Sequence, residues 1–134
     1  TPGAVEYKYQ LMFEEREISL NTYNIETLLA EKSQTIINRG LANTRMRDFY
    51  DMYEIVQKKK FSIDVYKKAF WATCTRRNTQ FSDDRIRREL NNIATSDDMK
   101  KLWDNFRQKN YFVDDIEYKS AIESVTRTIM KTIE

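Results

Sequence analysis

From Val5 to Phe13 the chain alternates strictly, with Val5, Tyr7, Tyr9, Leu11 and Phe13 on one face and Glu6, Lys8, Gln10 and Met12 on the other. That is the period of a half-buried strand. Glu14-Glu15-Arg16 interrupts the pattern and Ile18 and Leu20 resume it, so a β-hairpin is predicted over residues 4–22. An isolated hairpin is marginal in water, so this one must pack on helices or extend a sheet.

Beyond residue 23 the apolar spacing becomes helical. Asn24 is placed to cap a helix over about residues 25–38, and Gly40 sits where a C-terminal glycine cap is expected. A second helix, capped by Asn43 or Thr44, carries Met46, Phe49, Tyr50, Tyr53 and Val56 and closes on Lys58-Lys59-Lys60. Ser62 heads a third with Val65, Phe70 and Trp71, and Ser82 a fourth with Ile86, Leu90 and Ile93. Ser96 precedes Met99, Leu102, Trp103 and Phe106, while Asp114 or Asp115 precedes Ile116, Ala121, Ile122, Val125, Ile129 and Met130. The expected class is therefore α+β, mainly α: an N-terminal β-hairpin followed by a bundle of about six helices.

Composition narrows this picture. The 134 residues suit one domain, with residues 1–60 holding the hairpin and first helices and 61–134 a helical tail. Two glycines and one proline leave little for long loops. With 23 Lys and Arg against 21 Asp and Glu, net charge alone does not argue for nucleic acid or a membrane surface. No apolar run approaches the roughly 18 residues of a membrane span. The single cysteine, Cys74, and the lack of a targeting signal point to the cytoplasm. Histidine is absent, which removes Ser-His and Cys-His nucleophile activation and His-containing zinc sites. A metal bound here would be a hard cation on carboxylates. The opening Thr1-Pro2-Gly3, running straight into strand-like sequence, reads as a cut inside a longer protein.

Three polar residues sit awkwardly. Position 32, between Leu28 or Leu29 and Ile36 in the apolar row of the first helix, is lysine. An ammonium there must either snorkel to the edge or meet a carboxylate or phosphate. Asp48 heads the row Asp48, Met52, Ile55 on the second helix, with Asp51 one turn on. Either carboxylate could simply complement the helix dipole. A link of about five residues makes the two helices an antiparallel pair, which would gather Lys32, Arg39, Arg45, Arg47, Asp48 and Asp51 at one end. Cations beside carboxylates suit phosphate and Mg²⁺ chemistry, and they equally suit a helical salt-bridge network.

The run Tyr23-Asn24-Ile25-Glu26-Thr27-Leu28-Leu29-Ala30-Glu31-Lys32, followed by Asn43-Thr44-Arg45-Met46-Arg47-Asp48-Phe49-Tyr50-Asp51, resembles the abortive-infection AbiEii/AbiGii-type nucleotidyltransferase toxin family. With the preceding Tyr7-Lys8-Tyr9 to Ile18-Ser19-Leu20 segment, the resemblance covers about residues 1–55. It implies the C-terminal part of a polymerase β-like nucleotidyltransferase, the toxin of a phage-defence or toxin–antitoxin pair. Its third motif is matched by Glu31 and Lys32, and its fourth by Asp48, Tyr50 and Asp51. The resemblance implies Lys32 on phosphate and in transfer with Asp48, and Asp51 second, while the gathered cations add Arg45 and Arg47 as candidates for phosphate. The implied requirements are NTP and Mg²⁺ for the parent, and the implied partners are a nucleotide, tRNA or other nucleic acid, and a cognate antitoxin. The family's Gly-Ser motif and its metal-binding acids are expected upstream of residue 1, since the chain contains no Gly-Ser dipeptide. No metal ligand is therefore expected within the chain, which should not transfer nucleotides alone. Ser33 stands where a leucine is more usual.

On this reading Lys32→Ala and Asp48→Ala abolish toxicity and leave thermal stability nearly unchanged. The alternative is a non-catalytic helical module that binds nucleic acid through Arg76-Arg77 and Arg85-Arg87-Arg88, or an antitoxin or self-association surface.

Overall fold

The computed structural model describes residues 24–113 and 115–134. Six α-helices form the regular structure of that span: α1 Ile25–Arg39, α2 Met46–Lys58, α3 Ile63–Arg76, α4 Asp83–Thr95, α5 Asp97–Lys109 and α6 Tyr118–Met130. Single 3₁₀ turns lie at Gly40–Ala42, Tyr111–Val113 and Lys131–Ile133. The α+β expectation is thus corrected to an all-α architecture, with no strand among the described residues. The reason is visible in the spacing: from Ile25 onward apolar residues recur every three or four positions, and no segment keeps a period of two. The hairpin expected over residues 4–22 lies outside the described residues.

Short polar side chains start most of the helices. Asn24 Oδ1 accepts the Thr27 N–H, and the hydroxyls of Ser62, Ser82 and Ser96 accept those of Val65, Arg85 and Met99, all at 3.1–3.2 Å. Each bond satisfies one of the donors a first turn leaves open. Two starts differ from expectation. The N-cap of α2 is Arg45, without a side-chain cap, because Asn43 is buried and turns its Oδ1 to the Arg45 N–H at 3.1 Å. Helix α6 begins at Tyr118 behind Glu117, so Asp115 precedes the cap and Asp114 lies outside the described residues.

Packing selects among the faces that the sequence offers. On α3 the buried row is Tyr66, Phe70, Thr73 and Cys74, while Val65, expected inside, is 43% exposed. One residue along a helix is about 100° of rotation, so Tyr66 and Val65 cannot both face the core. The expected row Ile86, Leu90, Ile93 on α4 is buried as drawn.

Helix α1 makes most of its interhelical contacts with α3 and further ones with α2, while α6 bridges α2 and α4, and the final turn folds back on α3 and α6. Trp103 is fully buried, and its indole N–H donates to the Ile116 carbonyl at 2.8 Å. Trp71 reaches Thr132 O at 3.0 Å and Tyr118 reaches Ile93 O at 2.7 Å, so large rings enter the core with their polar tips satisfied. Among the described residues no helix is long and apolar enough to cross a membrane.

Candidate functional site

The turn between α1 and α2 sets the site's geometry. Gly40 closes α1 at φ 50°, ψ −131°, its N–H bonded to Ile36 O. A side chain is disfavoured there twice over. The backbone is one that L-residues rarely adopt, and a Cβ would come within 2.1 Å of the Glu89 Oε2 on α4. The contacts then run in opposite senses along the two helices. Lys32 and Ser33 meet Asp48, Asp51 and Met52, whereas Glu26, a turn and a half earlier, accepts the N–H of Ser62 just past α2. This is the antiparallel pairing expected from the short link.

Lys32 Nζ lies 3.2 Å from Asp48 Oδ1 and 3.3 Å from Asp51 Oδ2, which resolves its anomaly in the apolar row. Asp48 is buried, with only 7% of its side chain exposed, while the lysine and Asp51 side chains are 25% and 15% exposed. The ammonium therefore stands at the rim and the first carboxylate below it. Arg47 Nε approaches Asp51 Oδ1 at 3.7 Å, adding a second cation at i, i+4. Two of the three ammonium donors of Lys32 are spent on these carboxylates, and the third has no partner among the described residues. Asp48 spends Oδ1 on the lysine, and its Oδ2 makes no hydrogen bond within the described residues.

Other expected residues separate into those near this cluster and those used elsewhere. Arg39 and Arg45 are exposed, and their side chains form no ion pair with described residues. Tyr50 turns away: its hydroxyl donates to Glu54 Oε1 at 3.0 Å, and its ring packs against Phe106 and Phe112. Glu31, paired with Lys32 by the motif, instead meets Arg76 on α3 at 3.4 Å. Arg77 Nη1 donates to Gln34 Oε1 at 2.6 Å, Thr35 Oγ1 at 3.1 Å and Glu31 O at 3.4 Å, fastening α3 to α1. Arg85 lies 4.8 Å from the Phe81 ring centroid. Of the five arginines that suggested a basic surface, Arg76, Arg77 and Arg85 make contacts to neighbouring side chains, and Arg76 and Arg77 remain exposed. Arg87 and Arg88 are exposed, and Arg87 lies 4.0 Å from Asp84.

One feature of the site escaped sequence reasoning. Ser33, next to Lys32, is fully buried and donates its hydroxyl to Leu29 O at 2.7 Å. Its oxygen also meets the hydroxyl of Tyr66 at 2.7 Å and lies 3.8 Å from Met52 Sδ. Burial pushes the Tyr66 phenol well above its ordinary range, with the Ser33 hydrogen bond acting in the opposite sense. Serine in an apolar row was the available signal, and it reads as a weak spot unless the facing tyrosine is known. Cys74 is buried as well, and its thiol is raised chiefly by desolvation.

The described residues contain no group of three or more Cys, Asp or Glu able to hold a metal ion. Lys32 and Arg47 already lie against Asp48 and Asp51, so a dication at this wall would compete with two fixed cations for those carboxylates. Neither the curated proteins nor the solved structures contain a match to this chain. The family model described as "Nucleotidyl transferase AbiEii toxin, Type IV TA system" matches residues 1–125, a span that holds Lys32, Asp48 and Asp51. The chain belongs to the AbiEii nucleotidyl transferase toxin family of type IV toxin–antitoxin systems, and that membership implies a nucleotide substrate and an antitoxin partner.

Proposed function

We propose that this chain supplies the C-terminal wall of a nucleotidyltransferase active site, with Lys32 binding nucleotide phosphate and Asp48 assisting transfer. The observation that carries this reading is the Lys32 ammonium at the rim, held between Asp48 and Asp51 with a third donor unpartnered among the described residues. A phosphate arriving there meets a positioned cation whose desolvation is already compensated. Asp48 Oδ2 is the atom to accept a proton from the attacking group, and Asp51 is the second carboxylate, orienting the lysine. Arg45 and Arg47, joined by Arg39, would neutralise phosphates of the nucleotide or of a nucleic-acid acceptor such as tRNA.

Mg²⁺ would supply charge neutralisation on the triphosphate. The residues of this wall bind and orient the nucleotide. The test is induced expression of the full-length protein carrying Lys32→Ala or Asp48→Ala, alongside transfer of radiolabelled nucleotide in vitro. Both variants are expected to lose toxicity and transfer. Wild-type behaviour of the two would overturn the assignment.

A further inference from the structure

Ser33 is an expensive choice where it stands. It is fully buried on the face of α1 that meets α2 and α3, where an aliphatic side chain would gain burial energy and carry no hydroxyl to satisfy. Its oxygen touches three helices: α1 through Leu29 O, α2 through Met52 Sδ, and α3 through the Tyr66 hydroxyl. A serine hydroxyl has one proton to share between the Leu29 carbonyl, which can only accept, and the Tyr66 hydroxyl, and either hydroxyl can be the donor of the Ser33–Tyr66 bond. Tyr66 is itself fully buried, and this is its hydrogen bond. Both contacts flank the charged cluster, for Ser33 follows Lys32 and Met52 follows Asp51.

We propose that the Tyr66–Ser33 hydrogen bond fixes the rotation of α1 so that Lys32 lands between Asp48 and Asp51, making Tyr66 and Ser33 positioning residues of the site. Apolar packing alone is non-directional and specifies the angle of a helix less sharply than a hydrogen bond does. Rolling α1 by about thirty degrees would displace a group about 6 Å from its axis by roughly 3 Å, enough to break both ion pairs. A 2.7 Å bond between two buried hydroxyls resists that roll. Arg77 grips Gln34 and Thr35 beyond it, so α3 holds α1 on both sides of the Lys32 turn. The inference rests on the phosphate-binding role proposed for Lys32.

The test uses the full-length protein and calorimetric titration with ATP, CTP, GTP and UTP in turn, on wild type, Tyr66→Phe, Ser33→Ala, Lys32→Met and Tyr66→Phe/Lys32→Met. Tyr66→Phe is expected to weaken the best-binding nucleotide roughly fivefold, the equivalent of one hydrogen bond. It should cost nothing further once Lys32 is methionine. Ser33→Ala should act in the same direction and serves if Tyr66→Phe does not fold. Unchanged affinity in both single variants, or the same fivefold loss with and without Lys32, would overturn positioning. The ammonium NMR signal of Lys32 separates this inference from the site reading. Slow proton exchange in wild type and loss of that signal in Tyr66→Phe are expected whatever nucleotide does. If Lys32→Met binds nucleotide normally while the signal still depends on Tyr66, the phosphate role alone fails. A signal that persists in Tyr66→Phe overturns the positioning role.

Discussion

Removing Lys32 exposes how the site is balanced. The substitution Lys32→Met keeps the length and apolar stem of the side chain and deletes the ammonium that faces Asp48 and Asp51. At an effective dielectric of about 20, two unit charges 3.2 Å apart attract by roughly 5 kcal/mol. Most of that is cancelled by the desolvation of Asp48, whose side chain is 7% exposed. Breaking a fully buried pair costs about 3–5 kcal/mol, and breaking a surface pair about 0–1 kcal/mol. With the lysine side chain 25% exposed, the loss should fall between these limits, at roughly 2 kcal/mol. Urea unfolding of wild type and Lys32→Met should show a lower midpoint at unchanged slope. Adding Asp48→Asn to Lys32→Met removes the stranded charge and should recover about half of the loss. Equal stability of Lys32→Met and wild type, with no effect of Asp48→Asn, would refute the claim that the pair is desolvated. The sequence-based expectation that Lys32 and Asp48 can be truncated at almost no cost in stability is revised accordingly, because Asp48 is buried beneath its partner.

Three further outcomes follow from the fold. Gly40→Ala should destabilise by more than about 1 kcal/mol in thermal unfolding, since the positive φ persists even after Glu89→Ala clears the steric contact; the double variant should recover only part. Burial raises the phenols of Tyr66 and Tyr118 above their ordinary values. The unfolded chain therefore loses these protons first, and their contribution is complete below about pH 10. Above that it falls by up to roughly 1.4 kcal/mol per pH unit for each tyrosine, and Tyr118→Phe should flatten the alkaline limb of a stability–pH curve. Arg77→Ala should cost about 1–2 kcal/mol by releasing Gln34 and Thr35, measured by denaturant midpoint.

Much of the helical frame was legible in the sequence. The serines at 62, 82 and 96 and Asn24 announce their helices because an N-cap is a local interaction, decided within four residues. The row Ile86, Leu90, Ile93 was equally plain, since α4 is polar on its other face. Where a helix offers apolar residues on several faces the pattern loses its authority. On α3, Ile63 and Val65 remain exposed while Tyr66 takes the core, and nothing local distinguishes them. The α2 cap shifted from Asn43 to Arg45 for a similar reason, because burial of Asn43 is decided by what surrounds it.

The site divides along the same line. By itself the sequence determined that Lys32, Asp48 and Asp51 are charged residues in apolar rows, on helices joined too briefly to lie anywhere but side by side. Those facts follow from helical periodicity and chain connectivity. Only the tertiary structure decided that the lysine bridges both carboxylates, that Glu31 and Tyr50 serve other contacts, and that Arg77 is consumed by α1. It alone pairs Ser33 with Tyr66 across 33 positions of chain. Such partnerships depend on which faces of three helices meet, and a one-dimensional pattern carries the faces without their neighbours.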